Sequence, residues 1–185
     1  MKNLIIFMSL FISSILFAEM KPLQEETKEM DPKQIGSLVY ISQRCTALFL
    51  INVILEYEKI NKDFNPYFKF DSFEEIVEII NGNKEINIEI NDASDFLSSA
   101  WLLEETAIAT NTERYMKTRK IRRISKSGIK KAREETWGEI VVMIKNYQNI
   151  SKDHFLKSGE RINSLIESDL SLCKPFLNSV REQRS

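Results

Sequence analysis

The sequence predicts an all-α fold, and three observations support this prediction. The chain has five glycines and four prolines in 185 residues, too few for a fold with many tight turns. Apolar residues recur at intervals of three and four over long stretches, which is the period of an amphipathic helix. The one strand-like alternation covers Glu85–Ile90. We expect a bundle of four long helices with one short inserted helix, and leave open a minimal two-strand ribbon with Tyr67–Phe70.

Residues 1–18 have the layout of a secretory signal peptide. Lys2 precedes fourteen residues, Leu4 to Phe17, that are apolar apart from serines, and Ala18 suits cleavage. The alternative is an uncleaved anchor, although the stretch is shorter than the roughly 20 residues that span a bilayer. We expect a periplasmic or secreted protein, with a flexible N-terminal arm over residues 19–30 and a single helical domain over residues 31–185.

The first long helix is predicted from Asp31 to about Ile60. Asp31 followed by a proline is a favourable helix start, because the aspartate caps the helix and the proline fits its first position. The centre, Cys45–Leu55, has nine hydrophobic residues among eleven, so this helix should lie in the middle of the fold. Gln43 and Arg44 lie in the same helix, which argues against a membrane span.

The two cysteines, Cys45 and Cys173, predict one disulfide in an exported protein. The bond would tie the first long helix to the last. The alternative is two unpaired cysteines that pack in the core as small apolar residues. No Cys-x-x-Cys pair is present in the sequence, so a redox-catalytic role is not indicated.

The middle of the chain predicts a short helix and a second long helix. Ser72 and Glu75 have the spacing of a capping box, ahead of a short helix that ends at Gly82. Asn91-Asp92 then caps a second long helix, whose apolar repeat continues to Tyr115.

Two breaks divide the remainder of the chain. We place one at Ser125–Gly128 and the next at Asn149–Ser151, which predicts a third long helix between them and a last helix after them. Pro175 lies inside the last apolar pattern, so we expect it to kink that helix or to end it.

The charges of the chain are divided between two adjacent blocks, although the net charge is only −1. Residues 63–113 hold twelve acidic and two basic residues, whereas residues 114–133, here called the basic segment, hold ten basic and no acidic ones. The ten are Arg114, Lys117, Arg119, Lys120, Arg122, Arg123, Lys126, Lys130, Lys131 and Arg133.

Two interpretations of the basic segment stay open. It could fold back along the acidic helix faces, so that the charges cancel within the molecule. It could instead face solvent and bind an anionic partner, such as phospholipid headgroups, an acidic protein face or a polyanion. Isoleucines at 121, 124 and 129 interleave with the cations, as in a surface-seeking amphipathic segment. Nucleic acid is not expected as a partner, because Tyr115 is the one aromatic residue there for stacking on bases.

Few residues suggest catalysis. His154 is the one histidine, which excludes a two-histidine zinc site, and we expect no metal or cofactor. A serine nucleophile with His154 as its base lacks a Gly-x-Ser-x-Gly motif. Glu104 interrupts the apolar stripe of the second long helix, where burial would raise its pKa. It could form an ion pair with Arg44, or an acid–base couple with Glu139.

From these features we predict a small exported binding or accessory protein of the cell envelope. Its disulfide would join Cys45 to Cys173, and its basic segment would contact an unidentified protein or anionic envelope component. One alternative is a hydrolase-like enzyme of the envelope that uses Glu104 or His154. The other is a peripheral membrane protein whose basic segment binds anionic lipid. The oligomeric state is left open.

Overall fold

The architecture is that of a computed structural model, which describes residues 20–31, 34–60, 72–82, 93–160 and 162–184. Over these ranges the chain forms helices and no strand, which confirms the all-α prediction there. The helices are α1 (Leu23–Lys28), α2 (Ile35–Ile60), α3 (Phe73–Gly82), α4 (Ala93–Arg119), α5 (Lys126–Ser158) and α6 (Ser164–Arg184). The predicted signal peptide and both ribbon segments, Tyr67–Phe70 and Glu85–Ile90, lie outside the described residues.

Helix α2 is the central element of the fold. It contacts α4, α5 and α6, and Leu48, Leu50 and Ile51 in its centre are fully buried. By length and composition Ile35–Leu55 is the one described helix that could cross a membrane, but 78% of that window is buried inside the fold. An apolar helix that other helices surround needs no lipid to cover it. α2 therefore serves as the core helix that the sequence predicted, although it begins at Ile35 rather than directly after Asp31.

The two cysteines meet between α2 and α6. The sulfur atoms of Cys45 and Cys173 lie 1.99 Å apart, their Cα atoms lie 5.4 Å apart, and both residues are fully buried. This distance is consistent with the predicted disulfide. The pair joins the central helix to the last helix across a sequence separation of 128 residues.

A short turn at residues 120–125 separates α4 from α5. Lys120 follows the last residue of α4 and has a positive φ of 53°. Its N–H donates to the Lys117 carbonyl, and the N–H of Ile121 donates to the Met116 carbonyl. These two bonds form a Schellman motif with lysine in the position that glycine usually holds. α5 then begins after Ser125, whose hydroxyl accepts from the N–H of Gly128 at 3.1 Å. The predicted break at Ser125–Gly128 is therefore displaced by a few residues.

The predicted turn at Asn149–Ser151 is wrong, because α5 continues through it to Ser158. The helix ends instead where Gly159, with φ of 77°, donates its N–H to the Phe155 carbonyl at 2.9 Å. Asn149 and Ser151 weaken a helix only slightly, whereas a left-handed residue after the last turn favours glycine strongly.

Helix α6 continues through Pro175 to Arg184, so the prediction that it could end at the proline is wrong. Proline lacks the N–H that would bond to the carbonyl of Ser171. Both residues are exposed, so water can solvate that carbonyl.

A short helix lies within residues 19–30, the stretch that the sequence predicts as a flexible N-terminal arm. Residues 23–28 form α1, which packs against α6, and Leu23 is fully buried. The stretch is polar overall, so its composition did not indicate that Leu23 packs in the core. Nor did it indicate that Glu26 pairs with the buried Arg44.

We predict that Cys45→Ser/Cys173→Ser lowers the free energy of unfolding under oxidising conditions by about 2–5 kcal/mol, because the unfolded chain loses a long-range crosslink. The measurement is urea unfolding with and without reductant. Reductant should move the midpoint of the wild type towards that of the variant and leave the variant unchanged. An equal response of both proteins would contradict the bond.

Candidate functional site

The basic segment forms one end of the α4–α5 hairpin, and all ten of its cationic residues are exposed. The two helices are joined just below it by Asn111, whose side-chain amide donates to Thr136 Oγ1 at 3.1 Å and to the Ala132 carbonyl at 3.4 Å. Both Asn111 and Thr136 are buried. This contact joins α4 to α5 at Asn111, next to the exposed end of the hairpin.

Internal neutralisation of the basic segment is limited among the described residues. The four ion pairs are Lys117–Glu113 at 2.8 Å, Arg133–Glu105 at 3.0 Å, and Lys130–Glu134 and Lys131–Glu135 at 3.7 Å each. Two of the four use acids from residues 63–113. All four lie at the surface, where such a pair contributes about 0–1 kcal/mol.

The other six cations form no ion pair with a described residue. They are Arg114, Arg119, Lys120, Arg122, Arg123 and Lys126. The Arg119 guanidinium lies 4.5 Å from the centroid of the Tyr115 ring, a cation–π contact that leaves its charge in place. Two isoleucines of the basic segment are also exposed, Ile121 at 39% and Ile129 at 42%.

A second polar cluster lies in the core around Arg44. The Arg44 side chain is fully buried, and its Nη2 lies 2.7 Å from Oδ2 of Asp169, which is also fully buried. Its Nε donates to the Tyr147 hydroxyl at 3.0 Å, and this hydroxyl donates to Asp169 in turn. The cluster joins α2, α5 and α6 one residue away from Cys45.

Helix α1 and Tyr40 complete this cluster. The Glu26 carboxylate lies 2.5 Å from Nη1 of Arg44 and also accepts from the Tyr40 hydroxyl. The backbone N–H of Leu23 donates to Oδ1 of Asp169 at 2.6 Å. We call Glu26, Tyr40, Arg44, Tyr147 and Asp169 the Arg44 network.

The electrostatics of the Arg44 network favour a charged arginine beside neutral tyrosines. Burial by itself works to lower the pKa of Arg44, but Tyr147 and Asp169 raise it above the ordinary value. Burial raises the pKa of Tyr147 well above its ordinary range, and Asp169 adds to this. The guanidinium therefore carries its charge, and both oxygens of Asp169 accept hydrogen bonds. Such a satisfied network holds elements together.

Glu104 is buried at 3% exposure, as its place in the apolar stripe predicted. Burial raises the pKa of Glu104 to about 7, Arg133 lowers it in part, and Glu74 and Glu105 raise it further. The predicted ion pair with Arg44 is wrong, because Arg44 pairs with Asp169 and Glu26.

Neither enzyme hypothesis gains a partner group among the described residues: Glu139 is not brought to Glu104, and His154 lies apart from it. Glu139 is exposed and is not among the charges that act on Glu104. His154 lies near the end of α5, and its Nε2 is 3.9 Å from the carboxylate of Glu160, whose side chain is 79% exposed. Across the described ranges no group of three or more His, Cys, Asp or Glu side chains is placed to hold a metal ion.

No family model matches the chain, and neither a curated protein nor a solved structure matches it significantly.

Sequence reasoning missed the Arg44 network, although one signal was available. Arg44 precedes Cys45, and Asp169 lies one helical turn before Cys173. A disulfide between the two cysteines brings these neighbours together. The predicted disulfide was therefore a signal that Arg44 and Asp169 lie near each other.

We predict that Asp169→Asn lowers the free energy of unfolding by about 3–5 kcal/mol, because it leaves the buried guanidinium without its fully buried counter-charge. The matched control is Glu26→Gln, which removes a partner that is 24% exposed and should cost less. The measurement is urea unfolding at neutral pH. Equal costs for the two variants would contradict the assigned roles.

We predict that Glu104 makes the protein less stable as pH rises from about 4.5 to about 7. In this window the unfolded chain releases the Glu104 proton while the folded state, with the raised pKa, retains it. Above this window the loss is constant, and its size is at most on the order of 3 kcal/mol.

Urea unfolding of the wild type and of Glu104→Gln across this pH range tests the prediction. Glutamine stays neutral, so the variant should gain stability relative to the wild type as pH rises. Parallel pH profiles of the two proteins would show that Glu104 does not titrate with a raised pKa.

Proposed function

We propose that the protein is an exported four-long-helix bundle of the cell envelope that binds an anionic partner through the basic segment. The observation that carries this proposal is the set of six exposed cations that form no ion pair with a described residue. A structural role would favour neutralised charges, because unpaired like charges at one end repel one another.

The distribution of charge supports a binding role more than the net charge does. A stretch of twenty residues with ten cations and no acid produces a positive field at one end of the hairpin. Such a field attracts anionic partners over about 10 Å at moderate ionic strength and weakens as salt is added. Contact through this surface should therefore be sensitive to salt.

The proposed location rests on two features. The cysteine pair at bonding distance favours an oxidising compartment, and the apolar N-terminal segment has the composition of a signal sequence. The partner would then be a component of the envelope.

An enzymatic role has weaker support. Glu104 has the raised pKa that a general acid needs, but its predicted acid–base partner, Glu139, is not among the charges that act on it. Binding through the basic segment is therefore the function that we propose.

The test compares two triple variants that remove the same charge. Arg122→Gln/Arg123→Gln/Lys126→Gln neutralises the end of the hairpin. Lys145→Gln/Lys157→Gln/Lys174→Gln neutralises three exposed lysines elsewhere on α5 and α6. The measurement is co-sedimentation with the isolated envelope fraction of the producing cell at increasing salt.

We expect the wild type and the second variant to sediment with envelopes and to be released by salt. The first variant should stay in solution, because it lacks three of the six cations that form no ion pair with a described residue. Equal sedimentation of the two variants, or no sedimentation of the wild type, would contradict the proposed function.

A further inference from the structure

The exposed isoleucines distinguish the basic segment from a purely ionic surface. Ile121 follows Lys120 and precedes Arg122, and Ile129 precedes Lys130. Both isoleucines are about two-fifths exposed, at 39% and 42%. Their neighbour Ile124 is half-buried, and a Cβ added at Gly128 would lie 2.6 Å from its Cγ1. Ile124 therefore packs the turn, whereas Ile121 and Ile129 remain available for a partner.

This arrangement restricts the chemistry of the partner. Soluble polyanions would satisfy the cations but would leave both isoleucines in water. An acidic protein face would need a concave, partly apolar surface that fits the end of a helical hairpin. The interface of an anionic bilayer offers negative headgroups and an apolar layer directly beneath them, and lipids can rearrange around an irregular surface.

We propose that the partner of the basic segment is an anionic phospholipid bilayer, into which Ile121 and Ile129 insert between the cations. This inference rests on the proposed function and names the partner. Lys120, Arg122 and Arg123, which form no ion pair with a described residue, contact headgroup phosphates around Ile121. Tyr115, covered by the Arg119 guanidinium, lies on α4 beside the turn.

The opposite end of α5 provides a comparison within the same molecule. Leu156 and Ile162 are also exposed, at 74% and 42%, and lie near the turn between α5 and α6. Charges of both signs accompany them, since Asp153 and Glu160 lie in the same stretch as Lys152 and Lys157. Leu156 lies about 40 Å along α5 from Ile129 at 1.5 Å per residue. Apolar exposure at that end therefore lacks the unopposed positive charge that the inference requires.

The test is flotation of the protein, in the form that the exporting cell releases, with vesicles of phosphatidylglycerol mixed with phosphatidylcholine. Vesicles of phosphatidylcholine alone are the lipid control, and soluble polyglutamate is the polyanion control. The variant Ile121→Asn/Ile129→Asn removes the inserting side chains and keeps every charge. The matched control Leu156→Asn/Ile162→Asn makes the same change at the other end of α5.

We expect the wild type and the matched control to float with the anionic vesicles only, and to be released by salt. Ile121→Asn/Ile129→Asn should bind these vesicles about 10-fold or more weakly, while its binding to polyglutamate is unchanged. Neutralising Arg122, Arg123 and Lys126 should weaken vesicle binding by roughly 100-fold.

Two outcomes would overturn the inference while the proposed function stands. One is equal vesicle binding by the wild type and Ile121→Asn/Ile129→Asn, which would show that charge alone carries the contact. The other is no flotation with either vesicle although the wild type still sediments with envelopes, which would indicate a protein or polymer partner. Failure of both assays would overturn the inference and the proposed function together.

Discussion

The ion pair between Arg44 and Asp169 joins α2 to α6 inside the core. Both side chains are fully buried, so neither charge can be solvated if its partner is displaced. Three long helices must therefore pack in one register around the pair. Helix α1 must also pack there, because the N–H of Leu23 donates to Asp169 and the Glu26 carboxylate pairs with Arg44. This constraint explains why a polar stretch forms a helix against the core.

The arginines of the chain lie in two opposite environments. Arg44 is enclosed and neutralised, whereas Arg122 and Arg123 are exposed and form no ion pair with a described residue. Tyr147, which binds Arg44, lies about 32 Å along α5 from the start of that helix at 1.5 Å per residue. The buried network and the nearby cysteine pair thus hold one level of the helices together. The positive end of the hairpin extends from that framework.

Periodicity predicted the helices well, because apolar spacing and local caps are encoded within a few residues. It located the core helix and placed Glu104 in a buried stripe, as the structure shows. The end of α5 was missed because polar residues at 149–151 resemble a turn, and the deciding residue was Gly159. The pairing of Arg44 with Asp169 was missed because 125 residues separate the two. Periodicity reports which face of a helix is buried, and it carries no information about distant partners.

We propose that the acidic stretch at residues 63–113 does not cancel the positive charge of the basic segment. The most direct measurement is NMR relaxation of backbone amides by an anionic and by a cationic soluble paramagnetic probe. An uncancelled charge predicts that the anionic probe relaxes the amides of residues 120–126 more strongly than the cationic probe does. Equal relaxation by the two probes at these residues would contradict it, since it would mean that the acidic stretch neutralises the surface.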